Sequence, residues 1–322
     1  MYKMLMKSCG SFVEIDSDID LYEMVKDKID FIDFPEITIE KYNNNEKSKY
    51  IVKYMNSNER ILQYKEHKVL IKYPIKEMQD GLTILFMAYP LLEVNRREKK
   101  SLTCHCAGVS INGEGILILG KEGAGKTTLA IELCRKYNAK LIGNDLCVID
   151  YNYLNDLRLL GGTKYIFLRY ESIKRNIPEL IKKFDLQEND KKIDTWTFKK
   201  KIFPKDLGIQ VQKNEVGIDS IFIVHIDQEK DFFCKETNSL ADILYINENF
   251  SRYIRNTCTT MINDNNIINY IPSLDNKEFY TERAELINYL FNNKKIKYLS
   301  GNIEEVSKYI INGGKRWIIL HW

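Results

Sequence analysis

The chain has 322 residues, 44% of them hydrophobic, which supports one large packed core or two moderate ones and excludes a disordered chain. Its 48 Lys+Arg against 45 Asp+Glu leave a formal charge of +3, which excludes a strongly basic protein built to blanket nucleic acid. No nucleic-acid partner is therefore expected.

Residues 1–100 read as a small β-rich module that ends in a helix. Short alternating stretches at 11–15, 36–41, 50–54 and 68–73 are separated by polar turns such as Asn43-Asn44-Asn45, and they predict an antiparallel sheet. A helix follows over 75–99, with the basic end that suits a helix C-terminus. The longest mostly apolar run, 82–94, contains Tyr89 and Pro90 and is too short to cross a bilayer, so no membrane partner is expected.

Residues 101–322 read as a second, α/β domain with a mixed sheet. A strand is predicted over 103–111, a hairpin turn at Asn112-Gly113, and a buried strand over 115–119. Leu129, Ala130, Leu133 and Cys134 recur with helical period over 126–137. Strands are predicted at 140–142, 146–149, 165–168 and 220–226. Helices are predicted at 171–184 (interrupted by Pro178), 251–262, 278–291 and 303–311. The Lys-rich stretch 187–205 reads as a loop, and the chain closes with a Gly313-Gly314 turn and a strand over 316–321.

The cysteines are Cys9, Cys104, Cys106, Cys134, Cys147, Cys234 and Cys258, an odd number at spacings that suggest no disulfide framework. Residues 1–12 carry no long apolar core, so no secretory leader is expected. Reduced thiols and a cytoplasmic location follow. Cys104-x-Cys106 lacks the second pair of ligands that a zinc site needs.

The segment Gly120-Lys121-Glu122-Gly123-Ala124-Gly125-Lys126-Thr127 fits the pattern G-x-x-x-x-G-K-[ST]. Glycines let such a loop turn tightly and aim its N–H groups at phosphate oxygens, and the following helix adds its positive end. Lys126 would reach the β- and γ-phosphates, and the Thr127 hydroxyl would hold Mg2+. Gly120, Glu122, Gly123, Ala124, Gly125, Lys126, Thr127 and Thr128 are the expected nucleotide contacts. The flanking strand and helix are the context that the motif requires. Three carboxylates could serve the cation or the chemistry: Asp145, shortly after the loop's helix, Asp150, at the end of a strand, and Asp227, placed like a Walker B aspartate after the strand 220–226.

Taken together, His105-Cys106-Ala107-Gly108-Val109, the Asn112–Gly115 hairpin, the loop with Thr128, and Leu141-Ile142-Gly143-Asn144-Asp145 resemble the catalytic core of the HPr kinase/phosphorylase superfamily. Its relatives include small kinases found beside peptide-modification genes, and its fold is similar to the nucleotide-binding part of phosphoenolpyruvate carboxykinase. The match in order and spacing covers 101–150, and the small module before it has the layout of the peptide-cluster relatives. The resemblance implies an ATP- and Mg2+-dependent kinase that phosphorylates a hydroxyl, most simply a Ser or Thr of a peptide or small protein. By the same resemblance Lys126 would stabilise the transferring phosphoryl group and Thr127 would hold Mg2+. Asp145 would be the base and a metal contact, and His105 would support it near the phosphates. One departure stands out. Where the family has the first aspartate of a pair, this chain has Asn144, which brings no charge. The signature segment of the bifunctional enzymes is not found downstream, so phosphorylase activity is not expected.

Lys164, Arg169, Lys199, Lys200, Lys201 and Lys205 are candidate cations for the acceptor or the nucleotide, in a segment that could close over substrate. A different reading of the same loop is a nucleotide-dependent regulatory ATPase that uses Asp227 and has no acceptor but water. A small-molecule kinase is a third.

Overall fold

In a computed structural model, residues 1–42, 48–170, 173–174, 178–183, 199–255 and 259–313 are described. They form a mixed α/β structure that divides into two compact units, each assembled from separate stretches of chain. The first contains residues 1–105, 148–160 and 238–292, and the second 106–147, 161–237 and 293–322. A division at residue 100, as read from the sequence, does not anticipate the return of 148–160 and 238–292 to the first unit.

In the first unit, strands run in the order Thr38–Lys41, Tyr2–Ser8, Ser11–Ser17, Ile51–Asn56, Lys68–Tyr73 and Ile61–Lys65. The expected antiparallel sheet is in fact mixed. Ser11–Ser17 pairs parallel with Ile51–Asn56, which pairs parallel with Lys68–Tyr73. The long excursion between residues 17 and 51 lets the chain return in the same direction, which a tight hairpin cannot do.

The helix predicted over 75–99 is two elements, a 3-10 stretch Ile75–Gly81 and an α-helix Leu82–Glu98. Gln79, Asp80 and Gly81 all take positive φ, which separates them. At Gly81 a Cβ would lie 2.8 Å from Val25 Cγ1, so the chain bends where only glycine fits. The α-helix buries Ile84, Leu85, Ala88, Leu91 and Leu92 in the first unit's core. Its last turns also bury Glu93, Arg96 and Arg97, each fully shielded from solvent. Glu93 accepts from Thr103 Oγ1 at 2.7 Å and pairs with Arg96 and Arg97 at 3.3 and 3.2 Å.

The helix expected over 251–262 lies earlier in the chain. The helix runs over Leu240–Ser251 instead, and Thr260–Ile262 is a strand paired with Ile268–Tyr270. Ser239 caps that helix by accepting from the Asp242 N–H, a start signal that the periodicity reading passed over. The helices Lys277–Asn293 and Ile303–Ile311 form as expected. Parts of the predicted helix 171–184, most of the loop 187–205, and the strand 316–321 lie outside the described residues.

The second unit is built on a mixed sheet. Its strands lie side by side in the order Lys140–Gly143, Ala107–Ile111, Glu114–Leu119, Val216–Ile226, Lys295–Gly301 and Phe233–Glu236. Asn112 and Gly113 both have positive φ, the turn that Asn-Gly favours between antiparallel strands. The central pairings of Val216–Ile226, with Glu114–Leu119 on one side and Lys295–Gly301 on the other, are parallel. The helix Lys126–Tyr137 forms over the residues expected and buries Leu129, Ala130, Leu133 and Cys134.

The strand expected over 103–111 breaks at Cys106 into Ser101–His105 and Ala107–Ile111. The Cys106 N–H donates to the Asp145 carbonyl at 3.0 Å rather than to a ladder partner. No disulfide joins the described cysteines. Among the described residues no helix is long and apolar enough to cross a membrane.

Candidate functional site

The strand Glu114–Leu119 runs into the 120–127 loop, and the helix Lys126–Tyr137 leaves it. Gly123 and Gly125 have φ of +77° and +88°, which a side chain would strain. Space imposes a second demand. A Cβ on Gly120 would come within 2.8 Å of the Val224 carbonyl oxygen, and one on Gly125 within 2.7 Å of Ile226. Val224 and Ile226 end the adjacent parallel strand, and the Ile226 N–H donates to the Ala124 carbonyl at 2.9 Å. The loop is therefore braced from the side by the strand it lies beside.

Lys126 is buried, and its ammonium donates to the carbonyls of Gly120 at 2.7 Å and Lys121 at 3.2 Å. Those weak neutral acceptors can be exchanged for an anionic oxygen, to which a charge-assisted bond is stronger. Glu122 is exposed, and its carboxylate pairs with Arg169 at 3.1 Å. Thr127 and Thr128 are half-buried on the first turn of the helix.

The Thr127 hydroxyl donates to Asn144 Oδ1 at 2.8 Å. Asn144 follows the strand Lys140–Gly143 and is only 1% exposed. Next to it the Leu146 N–H donates to the Asn144 carbonyl at 2.8 Å, closing a three-residue turn around Asp145, whose φ is +65°. A γ-turn of this hand is rare, and a strained residue of this kind costs about 1–3 kcal/mol. Its surroundings hold it in place. The Asn144 N–H donates to the Thr163 carbonyl at 2.7 Å, and the Thr163 N–H to the Leu146 carbonyl at 2.9 Å. The two segments cross closely, since a Cβ on Gly143 would lie 2.6 Å from Gly162 Cα. The Cys147 thiol beside them is pushed well above the usual thiol range by its hydrogen bond with Cys106 and by burial, so it stays neutral.

Within the second unit, then, the glycine loop, Lys126, Thr127, Asn144 and Asp145 come together. The other carboxylates are differently placed. Asp227 follows the strand braced against the loop, but its carboxylate accepts from the Glu229 N–H at 3.1 Å and pairs with Lys230 at 3.3 Å. That backbone bond, and then Lys230, hold its pKa below the ordinary aspartate value. Asp150 belongs to the first unit and accepts from the Asn152 N–H at 2.8 Å. His105 closes the first stretch of the first unit, where its Nδ1 lies 3.1 Å from Arg252 Nη1.

Among the expected cations, Lys164 donates to the Ile142 carbonyl, and Lys201 lies 3.7 Å from the centre of the Tyr165 ring. Lys205 lies 5.8 Å from the Phe203 ring centre. The strands Ile166–Arg169 and Lys199–Ile202 pair antiparallel and carry Arg169, Lys200 and Lys201. The contact of Asn144 with Thr127, and the role of Thr163 in holding the turn, have no signal in the sequence.

No family model matches the chain, and no curated protein matches it. Among solved structures, the chain is similar to the Hpr(Ser) kinase/phosphatase from Coxiella burnetii, at 14% identity and a TM-score of 0.27. The match covers 65% of this chain and 91% of that one. A likeness this distant assigns neither activity nor substrate.

Among the described residues no group of three or more His, Cys, Asp or Glu side chains forms a metal cluster. The half-buried Thr127 hydroxyl fits a cation at this loop, and the unpaired amide nitrogen of Asn144 fits a phosphate oxygen.

Proposed function

We propose that the chain is an ATP-dependent kinase that transfers the γ-phosphoryl group to a hydroxyl, most simply a Ser or Thr of a peptide or small protein. The observation that carries this reading is the Thr127–Asn144 bond, which ties the first turn after the glycine loop to the turn that presents Asp145. The sequence resemblance supplies the acceptor class.

In this reading the N–H groups of 120–127 and the Lys126 ammonium hold the β- and γ-phosphates. Thr127 and Asp145 hold Mg2+, which when bound neutralises charge on the phosphate oxygens. The acceptor oxygen attacks the γ-phosphorus, the bond to the β–γ bridging oxygen breaks, and ADP leaves with that electron pair. The acceptor's proton passes to Asp145. A carboxylate suffices as base because phosphoryl transfer depends mainly on positioning and charge neutralisation.

A second reading, a regulatory ATPase, has one observation in its favour: Asp227 follows the strand that braces the loop. There its carboxylate accepts from the Glu229 N–H and pairs with Lys230.

The two are separated by incubating the protein with γ-labelled ATP, Mg2+ and a library of Ser- and Thr-containing peptides. Label on peptide, lost in Lys126→Ala and Asp145→Asn, is the expected result. Release of inorganic phosphate alone, sensitive to Asp227→Asn and indifferent to Asp145→Asn, would overturn the kinase reading.

A further inference from the structure

The side chain of Asn144 is divided in its bonding. Its Oδ1 accepts the Thr127 hydroxyl at 2.8 Å, whereas its Nδ2 is buried and has no partner. An amide nitrogen carries two donors, and leaving them buried and unpaired is unfavourable. Thr163 Oγ1, on the segment that accepts the Asn144 N–H, is also buried without a partner. An unpaired donor, Asn144 Nδ2, therefore sits on the same amide that takes the Thr127 hydroxyl.

We propose that Asn144 is a positioning residue that recognises the anion and not the cation. Its oxygen orients the Thr127 hydroxyl, and its amide N–H groups take a phosphoryl oxygen of the bound nucleotide. This deepens the proposed function and rests on that reading. A hydroxyl that gives its hydrogen to Oδ1 turns its lone pairs elsewhere, where a cation can use them. The amide N–H groups repel a cation and the hydrogens of its bound water, but they suit a phosphate oxygen. A carboxylate at this position would accept from Thr127 equally well, yet it would add a charge that draws a cation and repels phosphate. The site as built therefore takes a single divalent cation, held by Thr127 and Asp145.

Two titrations on the full-length protein test this. In the first, Mn2+ alone is titrated and followed by electron paramagnetic resonance. In the second, ADP is titrated in EDTA and followed by calorimetry. Asn144→Asp, nearly isosteric, is expected to bind Mn2+ about tenfold tighter and metal-free ADP about tenfold weaker, the size of one charge-assisted hydrogen bond gained or lost. Asn144→Ala is expected to weaken metal-free ADP by several-fold without tightening Mn2+, and thermal unfolding checks that it folds. Unchanged Mn2+ and ADP affinities in Asn144→Asp would overturn the inference, as would two Mn2+ bound per wild-type chain in the presence of ADP. Lys126→Ala separates the levels. If it leaves ADP affinity intact, the proposed function fails; if it abolishes binding while Asn144→Asp changes nothing, only the role of Asn144 fails.

Discussion

The Thr127 hydroxyl and the Asn144 amide oxygen are joined across 2.8 Å, although 17 residues separate them in the chain. The bond couples the start of the helix that leaves the glycine loop to the strained turn at Asp145. Any change that loosens the turn should therefore be felt at Thr127.

Asp145 separates chemistry from stability. Its φ of +65° is one that glycine adopts without strain. Asp145→Gly should leave the fold as stable as the wild type, or about 1 kcal/mol more stable, while phosphoryl transfer is lost. Urea unfolding measures the first quantity and label transfer the second. A loss of several kcal/mol would show that the carboxylate, rather than the backbone, holds the turn.

Gly162→Ala is expected to act in the opposite way. The added Cβ would meet the Leu146 carbonyl oxygen at 2.5 Å and Gly143 Cα at 2.7 Å, both backbone atoms that cannot rotate aside. We expect a stability loss of about 1–3 kcal/mol, the usual range for overpacking, with weakened nucleotide binding because Asn144 is displaced. Urea midpoints and nucleotide titration together would show both.

In the first unit, Glu93→Gln should be strongly destabilising. The carboxylate compensates two fully buried guanidinium groups, Arg96 and Arg97, and removing its charge leaves both in low dielectric. The expected loss is about 3–5 kcal/mol by equilibrium urea unfolding. A loss below about 1 kcal/mol would mean that Thr103, Tyr89 and the Phe250 carbonyl already satisfy the arginines.

Stability should fall as pH rises above the ordinary thiol range. Burial pushes the Cys134 thiol up to about 12, so it stays protonated in the folded chain while the unfolded chain ionises near pH 8.5. The sign follows from linkage: the unfolded state gives up a proton that the folded state keeps, so alkali favours unfolding. The contribution is intact below about pH 8.5 and is progressively lost toward pH 12. Urea midpoints for wild type and Cys134→Ala between pH 8 and 10 check it, and the variant should show the shallower decline.

The elements that the sequence made legible are the ones whose cause is local. The helix Lys126–Tyr137 has its apolar residues at helical period, and Asn112-Gly113 carries the turn it predicts. Glycines and Lys-Thr at fixed spacing mark out the 120–127 loop within eight consecutive residues. Where local signals compete, the reading fails. The apolar run at 103–111 gives no hint of the break at Cys106, because that break is caused by a hydrogen bond to the Asp145 carbonyl, far along the chain. The helix expected to begin at 251 instead ends there, as Leu240–Ser251, and the expected antiparallel sheet of the first unit took parallel pairings as well.

The sequence by itself determined that the chain has a glycine loop between a buried strand and an amphipathic helix, with Asn144 and Asp145 following the next strand. Those are statements about neighbours along the backbone, where periodicity and spacing suffice. Only the tertiary structure decided that Asn144 faces Thr127, that Asp145 sits in a strained turn, and that Gly143 and Gly162 cross where no Cβ fits. These relations depend on which strands lie side by side. Strand order is set by the packing of the whole sheet, and no local pattern encodes it.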